Sequence, residues 1–216
     1  MDAFGAKPKR RKAMQPVPEL YKKYFIDIGI ERLEIFKLIK EKFNINRVLY
    51  PGSFVHISPS FFFPEVIYLD LDKRCKKFFS QKETIAYIES KKEYNQEPIL
   101  KYYEMSFEEE NEEEPCSFDL LVSQFAGFIS IHCTKYLKKN GILLVNDSHG
   151  DATMAYCSGE YDLIAVINNE IKIESEGLNE YFIFSRKREI NKEDIIKKMK
   201  GPKYKNNANS YIFRKR

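Results

Sequence analysis

A chain of 216 residues, 43% apolar, with 36 basic against 32 acidic side chains, describes a single globular domain with short extensions and excludes disorder throughout. Its net charge of +4 is too small to point to a polyanionic partner. No apolar run is long enough to span a bilayer, and the start MDAFGAKPKRRK lacks the apolar stretch of a secretory signal, so a cytoplasmic protein without membrane contact is expected.

Residues 1–18, polar and basic with Pro8, Pro16 and Pro18, are expected to be a disordered segment, and residues 19–216 a single domain with a basic C-terminal tail. From Glu19 to Phe43 the pattern is helical. Leu20, Tyr24 and Phe25 begin one apolar stripe, Ile35, Leu38, Ile39 and Phe43 form another, and Gly29 separates the two. RVLY (47–50) is a short strand broken by Pro51-Gly52, and EVIYLDLD (65–72) a second. Both are rich in β-branched and aromatic residues without clean alternation, the pattern of strands buried on both faces of a parallel sheet. KRCKKFFSQKETIAYIESKK follows as a helix, PILKYYEM (98–105) as a third strand, and the run Glu108–Glu114 as a solvated loop. SFDLLVSQ, ending at Gln124, is the fourth strand. FAGFISIHCTKYLKKNG is then expected to be a helix closed by Gly141, and ILLVND (142–147) the fifth strand. After a polar turn and a short helix, YDLIAVINNEIKI and YFIFSRK are expected to pair antiparallel at one edge. EINKEDIIKKMK is a helix candidate and YIFRKR a final short strand. This alternation predicts an α/β fold: a doubly wound, mostly parallel sheet with helices on both faces.

Ligands of such sheets bind at the carboxyl ends of the strands, which singles out Tyr50 to Ser53, Asp70 to Asp72, Met105-Ser106, Ser123-Gln124 and Asn146 to Asp151. A strand-end carboxylate accepts two hydroxyls at once, which suits Asp70, whereas Asp72 is placed to cap the helix starting at Lys73. Asn146 to Asp151, NDSHGD, is the densest polar cluster in the chain. His149 there is a general-base candidate oriented by Asp147 or Asp151; the alternative is a turn using Asn, Asp, Ser and Gly for backbone geometry. His56 fits a hydrogen-bonded structural role, and Phe61 to Phe63 a core plug. Four cysteines, Cys75, Cys116, Cys133 and Cys157, lack paired spacing and only three histidines exist, so no metal site is expected. The C-terminal stretch from Lys197 interleaves Lys and Arg with Tyr204, Tyr211 and Phe213. Nucleic-acid binding through such a tail is one reading; a solvated extension is preferred.

In their order, these segments resemble class I S-adenosylmethionine-dependent methyltransferases over Arg47 to Asp147. VIYLDLD resembles that family's second strand, with Asp70 at the ribose-binding position. SFDLLVS resembles its fourth strand, and YLKKNGILLVND its LKPGG-to-strand segment. The resemblance implies S-adenosylmethionine as cofactor, held by Tyr50, Gly52, Ser53, Asp70, Ser106, Ser123 and Gln124. Ser106 then stands where the family often reads the adenine amine with an acid. It further implies methyl transfer to an oxygen or nitrogen of an unknown acceptor beside Asn146, His149 and Asp151, with Asn146 and His149 near a pocket shared by Asp70, Gly52 and the segment after Ser123. The family loop D/E-x-G-x-G is here YPGSF: Tyr50 replaces the acid, Phe54 the second glycine, and Pro51 removes a backbone donor. SQFAGF departs from the NPPY-type tetrad of amino-methylating DNA enzymes and argues against that chemistry. Two other readings stay open: a non-catalytic relative binding another nucleotide or a partner protein, and a nucleic-acid binder acting through its basic tails.

Overall fold

The structure, a computed structural model, describes residues 15–216; the KPKRRK segment and most of the segment 1–18 expected to be disordered lie outside them. The chain enters through α1 (Glu19–Tyr21), which continues as wider helical turns to Ile26. Gly29, at φ 67°, makes the break before α2 (Leu33–Lys42). Then follow β1 (Arg47–Pro51), β2 (Glu65–Leu69), α3 (Lys73–Ser80), α4 (Lys82–Lys91), β3 (Ile99–Tyr103), β4 (Phe118–Ser123), α5 (Ile129–His132) and β5 (Leu137–Val145). The last part holds α6 (Asp151–Ser158), β6 (Tyr161–Ile167), β7 (Ile173–Glu174), α7 (Lys192–Lys198) and β8 (Ser210–Lys215).

The strands form one sheet in the order β3-β2-β1-β4-β5-β8-β6-β7. The first five are parallel, while β8 runs antiparallel to both β5 and β6. Side chains along each strand alternate between two cores. Val48, Tyr50, Val66 and Tyr68 face Phe36, Phe78 and Tyr87 of α2, α3 and α4. Leu49, Ile67, Leu69 and Leu121 face Ile129 and Ala155 of α5 and α6. Burial on both faces explains why these strands are apolar throughout instead of alternating. The expected doubly wound sheet is present, with β2, β1 and β4 adjacent in its interior. Among the described residues no helix is long and apolar enough to cross a membrane.

Several local expectations give way. The helix after β2 is two helices, because Gln81 is extended (ψ 133°) and caps α4; Thr84 Oγ1 donates to Phe78 O at 2.8 Å across the break. The long helix expected before β5 is absent. Only α5 and one 3₁₀ turn precede Leu137, which already pairs with Phe118 in the sheet. Residues 138–141 bulge from the strand with Asn140 at φ 62°. Gly141 therefore lies inside β5, where a Cβ would come within 2.7 Å of the Leu137 side chain. Burying Leu137 outweighs the helix propensity of LKKN. YFIFSRK is not a strand: Tyr181 makes an isolated bridge to Asn206, and Phe182 packs on Tyr156, Tyr204 and Tyr211. Its expected place beside β6 is taken by β8. The C-terminal tail is accordingly no solvated extension. Tyr204, Tyr211 and Phe213 are buried and have no face left for base stacking. The acidic run is also only partly solvated, since Glu113 is buried among Arg47, Lys101 and the Tyr103 hydroxyl.

Candidate functional site

Strand order reverses between β1 and β4, and the crevice beyond their carboxyl ends is where a doubly wound sheet takes a ligand. There the chain leaves β1 through Gly52, at φ 61°. A Cβ on Gly52 would lie 2.2 Å from the Ala126 Cβ, so the loops after β1 and β4 touch at a spacing only glycine permits. Beside this contact is a cavity of about 350 Å³ lined by Arg32, Tyr50, Ser53, His56, Gln124 and Phe125, with apolar Phe25, Ile30 and Phe54 closing it. Three non-glycine residues of this lining are left-handed: Arg32 (φ 55°), Phe54 (φ 48°) and Phe125 (φ 64°). Each such residue costs of order 1–2 kcal/mol, and clustering of this strain is a mark of functional sites.

Gln124 is the polar hub. Its Oε1 accepts from Arg32 Nη1 and from Asn146 Nδ2 (3.2 Å), and its Nε2 donates to Ser210 Oγ (3.5 Å). Arg32 also lies over the Phe125 ring, 4.2 Å from its centroid. His56 is bonded at both nitrogens, to Tyr50 Oη and to the Glu31 carbonyl, each at 2.9 Å. A carbonyl only accepts, so Nε2 carries the proton and Nδ1 accepts from Tyr50. Burial, with the Arg32 charge nearby, pushes His56 down to about 3, and burial raises the Tyr50 phenol. Both are neutral, as the structural role expected for His56 requires.

Asp70 is tied down outside this cavity rather than lining it. Its Oδ2 accepts from Phe54 N (2.7 Å) and its Oδ1 from Asp72 N (2.8 Å). The loop amide at the second-glycine position is thus spent on a carboxylate of the protein itself. The Phe54 ring is held between Tyr24 and the Arg74 guanidinium, at 5.1 and 4.5 Å. Asp72 caps α3 through Arg74 N (2.9 Å), as expected. Ser106 accepts from Glu108 N (3.2 Å) in a local turn and does not line this cavity. Ser123, a cofactor candidate, turns away and donates to Asp151 Oδ2 at 2.5 Å.

The NDSHGD turn divides. Asn146 joins the crevice through Gln124 and lines an adjoining cavity of about 290 Å³ with Phe125, Ser148 and Asn209. Asp151, 1% exposed, points inward instead. It holds Ser123 Oγ, Ser130 Oγ (2.5 Å) and Ser130 N (3.1 Å), clamping α5 onto β4. Asp147 holds Thr153 N and Oγ1 at 2.8 and 2.9 Å. Burial pushes both carboxyls up to about 6. Neither contacts His149, so the expected orienting role is not built and Asp151 is no part of a reacting centre. His149 is half-buried, bonds Ser148 Oγ through Nδ1 at 3.0 Å, and lines neither cavity. A third cavity, of about 540 Å³, shares Arg32 and Phe125 with the first. Phe125, 56% exposed, stands where all three meet. Arg32 and Phe125 carry no sequence signal: the first falls between the two apolar stripes of a stretch patterned as helix, and the second in a segment patterned as helix. Among the described residues no group of His, Cys, Asp and Glu is arranged to hold a metal ion.

No protein-family model and no curated protein matches the chain. Solved structures do. The MccD protein is 13% identical over 84% of this chain and 96% of its own, with a TM-score of 0.50. A TehB-like S-adenosylmethionine-dependent methyltransferase from Corynebacterium glutamicum is 16% identical over 73% of this chain and 89% of its own, TM-score 0.48. For the YcgJ protein of Bacillus subtilis the values are 16%, 56% and 53%, TM-score 0.40; the chain spans about half the length of that protein. The eight-stranded, mostly parallel sheet with helices on both faces is a Rossmann-like fold.

Proposed function

We propose that this chain is an S-adenosylmethionine-dependent methyltransferase acting on a small acceptor in the crevice between β1 and β4. The observation that carries the reading is the cavity at the strand-order reversal, where Gly52 and Ala126 bring the two loops together and strained residues surround polar Gln124 and Ser53. These residues fit the amino-acid end of the cofactor. Asp70 fits its ribose through lone pairs that remain after each oxygen has accepted one backbone amide. When bound, S-adenosylmethionine supplies an electrophilic methyl group. The protein contributes alignment and exclusion of water. Asn146, fixed by Gln124, and Ser148 orient an acceptor in the adjoining cavity, and Phe125 closes the shared mouth. His149, bonded at Nδ1 to Ser148 and lining neither cavity, takes no part in this reading.

Calorimetric titration with S-adenosylmethionine and S-adenosylhomocysteine tests the reading. Binding is expected, and Asp70→Ala should weaken it by about 1–3 kcal/mol. Absence of binding at millimolar concentration would turn the assignment to the second reading, a non-catalytic relative. One observation favours that alternative: Phe54 occupies the glycine position and commits its amide to Asp70.

A further inference from the structure

Arg32 stands apart from other arginines of the molecule. Arg47, Arg74 and Arg216 each pair with a carboxylate, and Arg186, Arg188 and Arg214, which make no such pair among the described residues, are exposed. Arg32 likewise has no carboxylate within ion-pair distance among the described residues. It is nonetheless half-buried. Its position is set on three sides: a left-handed backbone at the start of α2, the Phe125 ring beneath the guanidinium, and Gln124 Oε1 on Nη1. A guanidinium has five N–H donors in a planar fork, and one contact to Gln124 leaves an edge for a bidentate acceptor. That edge belongs to a residue lining both the 350 Å³ and the 540 Å³ cavities. The other titratable groups around it do not neutralise it. Tyr50 and His56 are uncharged and bonded to each other. Glu31 directs its carboxylate to the Tyr21 hydroxyl at 2.6 Å, and Glu34 lies exposed on α2. A partly desolvated cation without a counter-charge is costly unless a ligand supplies one. Apolar neighbours such as Phe25 and Ile30 strengthen the pair that forms.

We infer that Arg32 is the anion anchor of this crevice and that its ligand presents a carboxylate to the guanidinium edge. The anchoring role stands on this geometry alone; only the source of the carboxylate, the cofactor's amino-acid end or an acidic acceptor, rests on the methyltransferase reading.

The experiment uses the full chain and two probe pairs that differ in the carboxylate: S-adenosylhomocysteine against its decarboxylated analogue, and benzoate against benzamide, at constant ionic strength. The benzoate pair is measured with and without saturating nucleoside. The wild type should prefer the carboxylate member of at least one pair by roughly tenfold or more. Arg32→Gln should remove that preference while leaving the neutral member's affinity and the urea midpoint near wild type. Arg32→Lys, which keeps the charge without the fork, should retain a weakened preference, and carries the test if the Gln variant does not fold. Loss confined to the nucleoside pair assigns the carboxylate to the cofactor; loss confined to the benzoate pair assigns it to the acceptor. If neither nucleoside binds but the benzoate preference still depends on Arg32, the methyltransferase reading falls and the anchor stands. No preference in the wild type, or one unchanged in both Arg32 variants, overturns the inference.

Discussion

Two polar regions lie along the carboxyl edge of the sheet, and they have opposite economies. The Asn146–Asp151 turn is dense in chemistry-bearing side chains, yet both of its carboxylates are taken up by the protein itself. Asp147 serves Thr153, and Asp151 serves Ser123 and Ser130. The β1/β4 crevice has fewer such groups, but it is strained at Arg32, Phe54 and Phe125 and holds a cation that, among the described residues, meets Gln124 and the Phe125 ring but no carboxylate. The difference teaches that polar density in a loop measures how much hydrogen bonding the backbone needs. A ligand site is marked by capacity left unused.

The comparison breaks most visibly if the crevice tolerates bulk. Gly52→Ala adds a Cβ at 2.2 Å from Ala126 in a left-handed backbone. It should cost about 3 kcal/mol or more, read as a lower urea midpoint, because overpacking and backbone strain add. A variant as stable as wild type would show that the two loops are not locked together.

The structural role of Asp151 is sharpened by its pH dependence. Its folded carboxyl is pushed up to about 6 from an ordinary 3.8. The folded state therefore holds a proton that the unfolded chain has released. That contribution to stability is fully present below pH 3.8 and is lost as pH rises through about 6. Asp151→Asn cannot ionise, so its stability relative to wild type should improve by on the order of 2–3 kcal/mol between pH 4 and pH 7. Urea unfolding at the two pH values measures this, and a pH-independent difference would return Asp151 to the solvent-facing group of the turn.

A smaller effect is expected at the crevice wall. Tyr50→Phe removes the hydroxyl that His56 Nδ1 accepts from at 2.9 Å, and should cost about 1–2 kcal/mol. It also frees Nδ1, so the imidazole should titrate higher by NMR. An unchanged titration would mean that burial and the Arg32 charge hold it neutral without the hydroxyl.

The smallest effect is expected at His149→Ala, within about 0.5 kcal/mol of wild type, since its polar contact is the neighbouring Ser148. A larger loss of stability would place His149 with the inward-facing members of the turn.

Strand identity was legible in the sequence because burial on both faces leaves unbroken apolar runs. RVLY, EVIYL and FDLLVS became β1, β2 and β4 in adjacent places. Positions at strand ends were legible for the same reason, and Gly52 and Gln124 do line the crevice. Local propensity misled where a distant contact outweighed it. LKKNG has the composition of a helix end, but Leu137 pairs with Phe118 in the sheet. YIFRKR is the final strand its composition suggests, but the stretch around it is no solvated extension, because its register against β5 and β6 buries Tyr211 and Phe213 at the centre. The carboxylates misled in another way. Sequence shows where Asp70 and Asp151 stand along the chain but not which donors approach them, and those donors, Phe54 N for one and Ser130 for the other, come from separate loops and helices. Composition and periodicity thus determined the sheet, because burial follows side-chain chemistry residue by residue. Only the tertiary structure decided which polar groups were already satisfied and which, like Arg32, were left for a ligand, because pairing depends on three-dimensional neighbours that no sequence spacing encodes.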